Sequence, residues 1–272
     1  MSATYLPRVD HTPRLNRLFG PDGRAAVAAF DHGLFGEPAW LPPSRDIDGI
    51  VRTHATTGLD AMLLPAGPAR ILQSIPGAEK PSLIMRADVT DSYRVERPSS
   101  QYSHPLADAA VRAIRLDAAC IIGTIITYPG DAHLYETSLR AVDSLRAESE
   151  PYGLPLMVEV VALTETDGTP KVNSDTEAIA ALVRQAMEVG ADIVKTEPPA
   201  PAGEIVDLVA AVGDVPIFIG SGARAPDEEI RERTRLLLAG GARGIQYGRN
   251  ILAADDQVEM SRTLVSMVHG SA

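Results

Sequence analysis

The chain has 272 residues, of which 45% are hydrophobic, and its formal net charge is −11. A hydrophobic fraction of this size can furnish a large core, so the composition is not that of a disordered or fibrous protein. The acidic balance argues against nucleic acid or an anionic membrane surface as the main partner, although a few local donors can still bind a phosphate. A single cysteine, Cys120, excludes an intramolecular disulfide.

The amino-terminal residues lack the apolar core of a secretory signal, and no stretch reaches the roughly 18 consecutive apolar residues typical of a membrane-spanning helix. We therefore expect a soluble, cytoplasmic protein without a membrane partner. Lysine is rare, since Lys80, Lys171 and Lys195 are the only three in the chain. Few side chains are thus available as an amine nucleophile.

Eight short apolar runs alternate with longer amphipathic stretches along the chain. Buried parallel strands are near-continuous apolar runs, and each gap is wide enough for a crossover helix. The pattern predicts an α/β protein with one (β/α)8 TIM-barrel domain over residues 1–272, in which residues 1–23 form an extension that caps the barrel bottom. The predicted strands are Ala26–Phe30, Ala61–Leu64, Ser82–Met85, Ala119–Ile125, Leu156–Val161, Asp192–Val194, Val215–Ile219 and Gly244–Tyr247.

Helical periodicity is clearest over Asp175–Val189 and Asp227–Leu238, each of which ends before glycine. A short helix around Leu15–Phe19 would close the barrel bottom. The segment Glu96–Pro105 reads as a loop after the third strand, either a partial lid over the catalytic face or an ordinary surface loop.

Polar residues at the ends of the predicted strands are informative, because a barrel of this kind builds its active site at the carboxyl ends of its strands. They are Asp31, His32, Arg86, Asp88, Thr124 to Tyr128, Glu159, Lys195, Glu197, Ser221, Arg249 and Asn250.

Lys195 follows Ala191-Asp192-Ile193-Val194, an otherwise apolar strand that would deliver its amine into the barrel mouth. A lysine there is costly unless its pKa falls or it pairs with a carboxylate. A lowered pKa suits an amine nucleophile, because only the neutral form attacks a carbonyl. The alternative is a structural ion pair, with Glu159 or Glu197 as the partner.

Glycine-rich turns follow both of the last two strands, at Gly220-Ser221-Gly222 and at Gly248-Arg249. Small residues there allow backbone N–H groups to approach a phosphate, and Arg249 would add a charge-assisted contact. The two turns together favour a phosphate site over tight turns with an outward-facing arginine.

Asp31 and His32 follow the first strand. A carboxylate at that rim could move protons at the substrate, or it could be an ordinary turn aspartate, and His32 reads as its hydrogen-bonding neighbour. We expect no metal site, because the histidines show no ligand pairing and Cys120 lies alone in an apolar strand.

From Val27 to Ile251 the sequence resembles the archaeal-type class I fructose-bisphosphate aldolases, within the wider group of deoxyribose-phosphate and tagatose-bisphosphate aldolases. The resemblance is carried by Phe30-Asp31-His32-Gly33, the segment from Gly123 to Gly130, the segment from Gly190 to Thr196, Gly220-Ser221-Gly222 and Gly248-Arg249-Asn250.

The resemblance implies that Lys195 is a Schiff-base lysine and that Asp31 assists proton transfer. It also implies that Ser221, Gly222, Gly248 and Arg249 surround the substrate phosphate. The resemblance further implies that the enzyme needs no metal or dissociable cofactor and that it assembles into a homo-oligomer. We also expect His32 to bind the substrate.

The sequence departs from these aldolases near the end of strand five, where they carry a proton-transferring tyrosine two residues after a tryptophan. Aligning Leu154–Leu156 with that strand puts Glu159 at the tryptophan position and Val161 at the tyrosine position. Glu159, Tyr128 and Asp88 are the candidates for the missing role, and we prefer Glu159.

Three functions follow from these residues. The first is a class I aldolase that cleaves or forms a phosphorylated ketose such as fructose 1,6-bisphosphate. The second retains Lys195 but performs thiolase or transaldol-type chemistry on a phosphorylated keto substrate. The third is a non-catalytic phosphosugar-binding barrel, whose Lys195 only pairs with a carboxylate.

Overall fold

Eight parallel strands close into a barrel in the computed structural model, which describes residues 12–35, 45–77, 79–91, 101–166 and 169–270. Each strand pairs with the next along the chain, and the last pairs with the first. The predicted (β/α)8 barrel is confirmed. Its strands are β1 (Ala25–Ala29), β2 (Ala61–Leu64), β3 (Ser82–Arg86), β4 (Ala118–Thr127), β5 (Leu156–Thr166), β6 (Ile193–Thr196), β7 (Ile217–Gly220) and β8 (Gly244–Tyr247).

Helices connect the strands and cover the outer face of the barrel. Both helices expected from periodicity are confirmed to within one residue at each end, and Asp175 caps α6 by accepting a hydrogen bond from the Ala178 amide. No helix in the described ranges has the length and apolar character needed to cross a membrane. The helices are α1 (Thr12–Leu15), α2 (Ile47–His54), α3 (Ala66–Ser74), α4 (Ala109–Arg115), α5 (Ala132–Ser149), α6 (Thr176–Glu188), α7 (Ile205–Val212), α8 (Asp227–Ala239), α9 (Arg249–Leu252) and α10 (Gln257–His269).

The barrel interior divides into an apolar lower part and a polar upper part. Alternate strand residues point inward, and near the amino ends of the strands they form an apolar cluster that includes Val27, Ile193 and Phe218. Nearer the carboxyl ends the inward positions carry Glu159 and Lys195 instead. The outward residues pack against the helices in a larger second cluster.

The segment before β1 contributes two side chains to the lower cluster. Leu15 and Leu18 are both buried there, with Phe19 packed against them. The helix expected around Leu15–Phe19 lies earlier, however, because α1 ends at Leu15 and the chain continues as a turn.

Two short antiparallel additions extend the barrel mouth. The second half of β5 forms a hairpin with Thr169–Val172. Asp88–Thr90 pairs with Ser103–Pro105, so the end of the segment predicted as a loop is a short strand. The part of that predicted loop over residues 96–100 lies outside the described residues, and its role as a lid stays a prediction.

Candidate active site

Lys195 and Glu159 face each other across neighbouring strands inside the barrel mouth. They are register partners on β6 and β5, and the Lys195 Nζ lies 2.6 Å from the Glu159 Oε1. Each residue is only 8% exposed. The structural ion pair, which was the alternative to an amine nucleophile, is therefore present. It lies in an open cleft, however, where the amine can meet a ligand.

Arg86 joins this pair to three further side chains. It ends β3, is fully buried, and places its second terminal nitrogen 2.6 Å from the Glu159 Oε2. Its Nε donates to the Asp31 Oδ2 at 2.8 Å, and its first terminal nitrogen donates to Thr124 at 2.8 Å and Asp88 at 3.2 Å. One guanidinium thus fixes the orientation of both Asp31 and Glu159, which is what its planar fork of donors allows.

Electrostatics in this network follow from burial and mutual charge. Burial alone would raise the pKa of Glu159, but the charges and hydrogen bonds of Lys195 and Arg86 outweigh it and lower the pKa to about 2. Burial opposes the charge of Arg86, yet its carboxylate neighbours hold its pKa well above the ordinary value. Burial raises the pKa of Asp88 more than Arg86 lowers it. Glu159 is therefore a carboxylate at neutral pH.

The glycine-rich turns form the other side of the mouth. The donors there already hold a carboxylate of the chain itself: the Gly222 amide donates to the Glu197 Oε2 at 2.9 Å, and Arg249 donates to the Glu197 Oε1. The backbone carbonyl of Ser221 accepts from Arg233 and Asn250. Gly222 has φ of +70°, a conformation that glycine adopts without strain.

Gly248 is needed because the chain comes very close to β1. A Cβ there would lie 2.4 Å from the Ala29 carbonyl oxygen and 2.5 Å from the His32 Cε1. His32 is partly buried at this contact. Its loss of solvation, together with the positive charges of Arg249 and Lys195, outweighs the charge of Asp31 and lowers its pKa to about 4. It is neutral at pH 7, which suits a hydrogen-bonding neighbour better than a proton donor.

A single cleft brings most of the predicted residues together. The cleft is lined by residues at inward strand positions, at the strand ends and on the two glycine-rich turns. They are Ala29, Asp31, His32, Phe35, Arg86, Thr124, Glu159, Lys195, Glu197, Gly220, Ser221, Gln246, Gly248 and Arg249.

The sequence between β1 and α9 matches one family model. That model, for DeoC/LacD family aldolases, covers residues 25–254. The chain belongs to the DeoC/LacD family of aldolases. It is accordingly an enzyme, a lyase, and the resemblance drawn from its motifs is confirmed at this level.

Several relatives align with nearly the whole chain. The class 1 fructose-bisphosphate aldolase of Thermoproteus tenax is 26% identical over 265 residues, 95% of this chain and 95% of that protein. The 3-hydroxy-5-phosphonooxypentane-2,4-dione thiolase of Photorhabdus laumondii is 28% identical over 261 residues, 94% of this chain and 81% of that protein. A solved archaeal fructose-1,6-bisphosphate aldolase superposes with a TM-score of 0.78 at 24% identity, covering 96% of this chain and 100% of that one, which establishes the shared fold.

Tyr128 lies apart from the cleft of this DeoC/LacD aldolase. It follows the end of β4, and its hydroxyl donates to Glu165 on the part of β5 that extends beyond the barrel. The structure therefore does not bring Tyr128 to Lys195. Val161, at the position of the missing tyrosine, is buried among Ile126, Leu134 and Leu163 and supplies no proton donor.

Arg86 and Gln246 line the cleft, but no role for either follows from motif spacing. Arg86 can be picked out as a strand-end residue, whereas three of its four partners come from distant parts of the chain. Gln246 lies within an apolar strand. The one signal for its inward direction is the alternation of inward and outward side chains along β8. Among the described residues no cluster of histidine, cysteine and carboxylate groups is placed to hold a metal ion.

Proposed function

We propose that this DeoC/LacD aldolase is a class I, Schiff-base enzyme that cleaves or forms a phosphorylated ketose such as fructose 1,6-bisphosphate. The observation that carries the proposal is the Lys195 amine, held against Glu159 at the carboxyl ends of the barrel strands in a cleft that a ligand can enter. The name of the Thermoproteus tenax relative supports the choice of substrate.

The reaction would begin at Lys195. Its amine, after giving up a proton, attacks the ketose carbonyl, and the resulting carbinolamine loses water to form a protonated imine. In cleavage, the bond between the two carbons beyond the imine breaks, its electrons enter the imine to form an enamine, and the hydroxyl at the departing carbon loses its proton as an aldehyde forms. Protonation of the enamine carbon and hydrolysis of the imine release the second product and free Lys195.

Glu159 and Asp31 are our candidates for the proton transfers. Glu159 contacts the amine directly, and its negative charge also stabilises the cationic imine that replaces the ammonium. Asp31 is fixed on the same guanidinium, at the rim beside His32. The role of Arg86 is to position both carboxylates.

Ser221, Gly222, Gly248 and Arg249 would receive the substrate phosphate. For this, the phosphate must displace the Glu197 carboxylate from the Gly222 amide and from Arg249. The donors on these turns are thus suited to an anion, which supports the proposal.

Turnover of fructose 1,6-bisphosphate tests the reaction class. We expect the wild-type enzyme to release glyceraldehyde 3-phosphate, followed with a coupled dehydrogenase, and Lys195→Met to release none above background. The matched control is Lys171→Met, which removes another lysine near the mouth. Equal turnover by wild type and Lys195→Met would contradict the proposal.

Two observations favour a second candidate, an acyl transfer. A buried valine, Val161, stands where the aldolases carry a tyrosine, and the Photorhabdus laumondii thiolase aligns with 94% of the chain. Supplying coenzyme A with a phosphorylated diketone tests it. Formation of an acyl thioester, together with no cleavage of fructose 1,6-bisphosphate, would replace the aldolase proposal with this one.

We also propose that the enzyme works in the cytoplasm and that it assembles into a homo-oligomer, the second of which the family resemblance implies. Light scattering coupled to size-exclusion chromatography checks the assembly. A mass equal to that of one 28.9 kDa chain would contradict it.

A further inference from the structure

Gln246 is a buried polar residue that the proposed reaction leaves without a role. It is only 2% exposed, and within the described part of the chain neither its amide oxygen nor its amide nitrogen has a hydrogen-bond partner. Burying an unpaired amide is costly, and side chains that serve only the fold almost always find partners. The two unpaired atoms therefore point to a ligand.

The strand pattern aims this amide into the cleft. Along β8, Ile245 and Tyr247 point outward into the helix-facing core, so Gln246 between them points inward. It lines the same cleft as Lys195. Its unpaired atoms thus face the space that the substrate would occupy.

The neighbours of Gln246 explain why no protein group pairs with it. Its register partner on β7 is Gly220, which has no side chain, and the cleft-lining residue on the adjoining β1 is Ala29. Neither offers a side-chain donor or acceptor. The small residues on both sides leave space in front of the amide.

Register also sets the height of Gln246 relative to Lys195. Lys195 pairs with Phe218, which in turn pairs with Gly244, and the tilt of the strands in an eight-stranded barrel shifts the level by about one residue per strand, so Gln246 lies level with Lys195 on the next strand but one. Because β7 separates the two residues, the amide would meet substrate atoms next to the carbonyl carbon rather than the carbonyl itself. An amide both donates and accepts but does not titrate at neutral pH, so it matches a hydroxyl group and serves no proton transfer.

We propose that Gln246 binds a hydroxyl group on the carbon next to the carbonyl carbon that Lys195 attacks, and so selects hydroxyketone phosphates over their deoxy analogues. This inference rests on the proposed Schiff-base function. A site built to hydrogen-bond a substrate hydroxyl rejects the analogue that lacks it, because the protein groups are then left unpaired.

The test compares two ketone phosphates that differ by one hydroxyl, dihydroxyacetone phosphate and hydroxyacetone phosphate. The rate of borohydride-trapped adduct formation on Lys195 is read by intact mass. We expect the wild type to favour dihydroxyacetone phosphate by about tenfold or more, and Gln246→Met, which retains the length of the side chain, to lose most of that preference. Equal preference in wild type and Gln246→Met would overturn the role of Gln246 alone, whereas no adduct on wild-type Lys195 with either ketone would overturn the proposed function.

Thermal unfolding without ligand supplies a second readout that a structural role would move the other way. Gln246→Met removes the unpaired amide and should raise the Tm by about 2–4 °C. Tyr247→Phe is the matched control on the same strand: its outward hydroxyl pairs with Thr234, and its loss should leave the substrate preference unchanged. A lower Tm for Gln246→Met would show that the amide supports the fold, and would contradict the inference.

Discussion

The two sides of the barrel mouth hold their charged groups in different ways. On one side, Lys195, Glu159 and Arg86 stand on strands and form a buried network with side-chain exposures of 10%, 11% and 1%. On the other, Glu197 and Arg249 follow strands at the turns, with side-chain exposures of 13% and 24%. The strand side is fixed before any ligand arrives, whereas the turn side is held by a carboxylate that must move for a phosphate to bind. The strand side is thus preorganised for the chemistry, and the turn side is a binding site whose bound anion can be exchanged.

The largest expected effect comes from removing the centre of the strand side. Arg86→Leu leaves Asp31 and Asp88 buried without their cation, and we expect the free energy of unfolding to fall by about 3–5 kcal/mol. Urea unfolding measures it. The matched control is Arg140→Leu, whose ion pair with Glu136 is exposed and should change stability by no more than about 0.5 kcal/mol. Equal losses of unfolding free energy in the two variants would contradict the claim that the buried network contributes more to stability than an exposed ion pair.

Glu159→Gln tests the chemistry of the strand side. It retains the shape of the side chain but removes the charge that faces Lys195, so we expect kcat to fall by about 10²–10⁴. Glu165→Gln, on the same strand but outside the cleft, is the control and should retain activity. A similar loss in both variants would mean that β5, rather than the carboxylate, is responsible.

Acid titration gives the same network a signature in stability. The pKa of Glu159 is lowered to about 2 from an ordinary value of 4.5, so its ionised form favours the folded state above pH 4.5. That contribution is lost as the pH falls through 2. We expect the wild type to lose stability more steeply than Glu159→Gln between about pH 4.5 and pH 2, as followed by urea unfolding at each pH. Parallel curves would contradict the lowered pKa.

Glu197→Gln tests the exchangeable side and should act in the opposite direction. Without the competing charge, inorganic phosphate should inhibit about tenfold more strongly, a change equal to about 1.4 kcal/mol. Inhibition constants at one pH and ionic strength measure it. Glu229→Gln, which removes an exposed carboxylate from Arg233, is the control. Weaker inhibition in Glu197→Gln would mean that Glu197 organises the phosphate site instead of occupying it.

The smallest effect is expected at the opposite end of the barrel, at the His269 contacts with Asp22 and Asp60. Burial lowers the pKa of His269, but its carboxylate partners outweigh burial and raise the pKa above 6.5. The stabilisation is therefore complete below pH 6.5 and is lost as the pH rises through the raised value. The Tm difference between wild type and His269→Gln should shrink between pH 6 and pH 8.5, and a constant difference would contradict the contact.

The strands and the helices α6 and α8 could be predicted because their hydrophobic patterns are local. The position of Lys195 at the mouth followed from the same local reasoning, since an otherwise apolar strand carried it. The network around Arg86 could not be predicted, because its partners lie up to 73 residues away and depend on barrel closure.

On the turn side, the spacing of the glycines predicted donors for an anion. It did not predict that the Glu197 carboxylate would accept hydrogen bonds from those donors. Tyr128 lies outside the cleft for a geometric reason, because β4 and β5 continue past the barrel rim and bring it to Glu165 instead. The point at which a strand ends decides which side chains face the cleft. The hydrophobic pattern of β5 did not show that this strand continues to Thr166.

The most direct measurement is peptide mapping after borohydride reduction with dihydroxyacetone phosphate. The chain has three lysines, so the assignment is unambiguous, and Lys80 and Lys171 serve as internal controls. The Schiff-base function predicts one covalent adduct per chain on Lys195, absent from Lys195→Met. An adduct on Lys80 or Lys171 with unmodified Lys195, or a wild-type enzyme that turns over substrate without any trapped adduct, would contradict it.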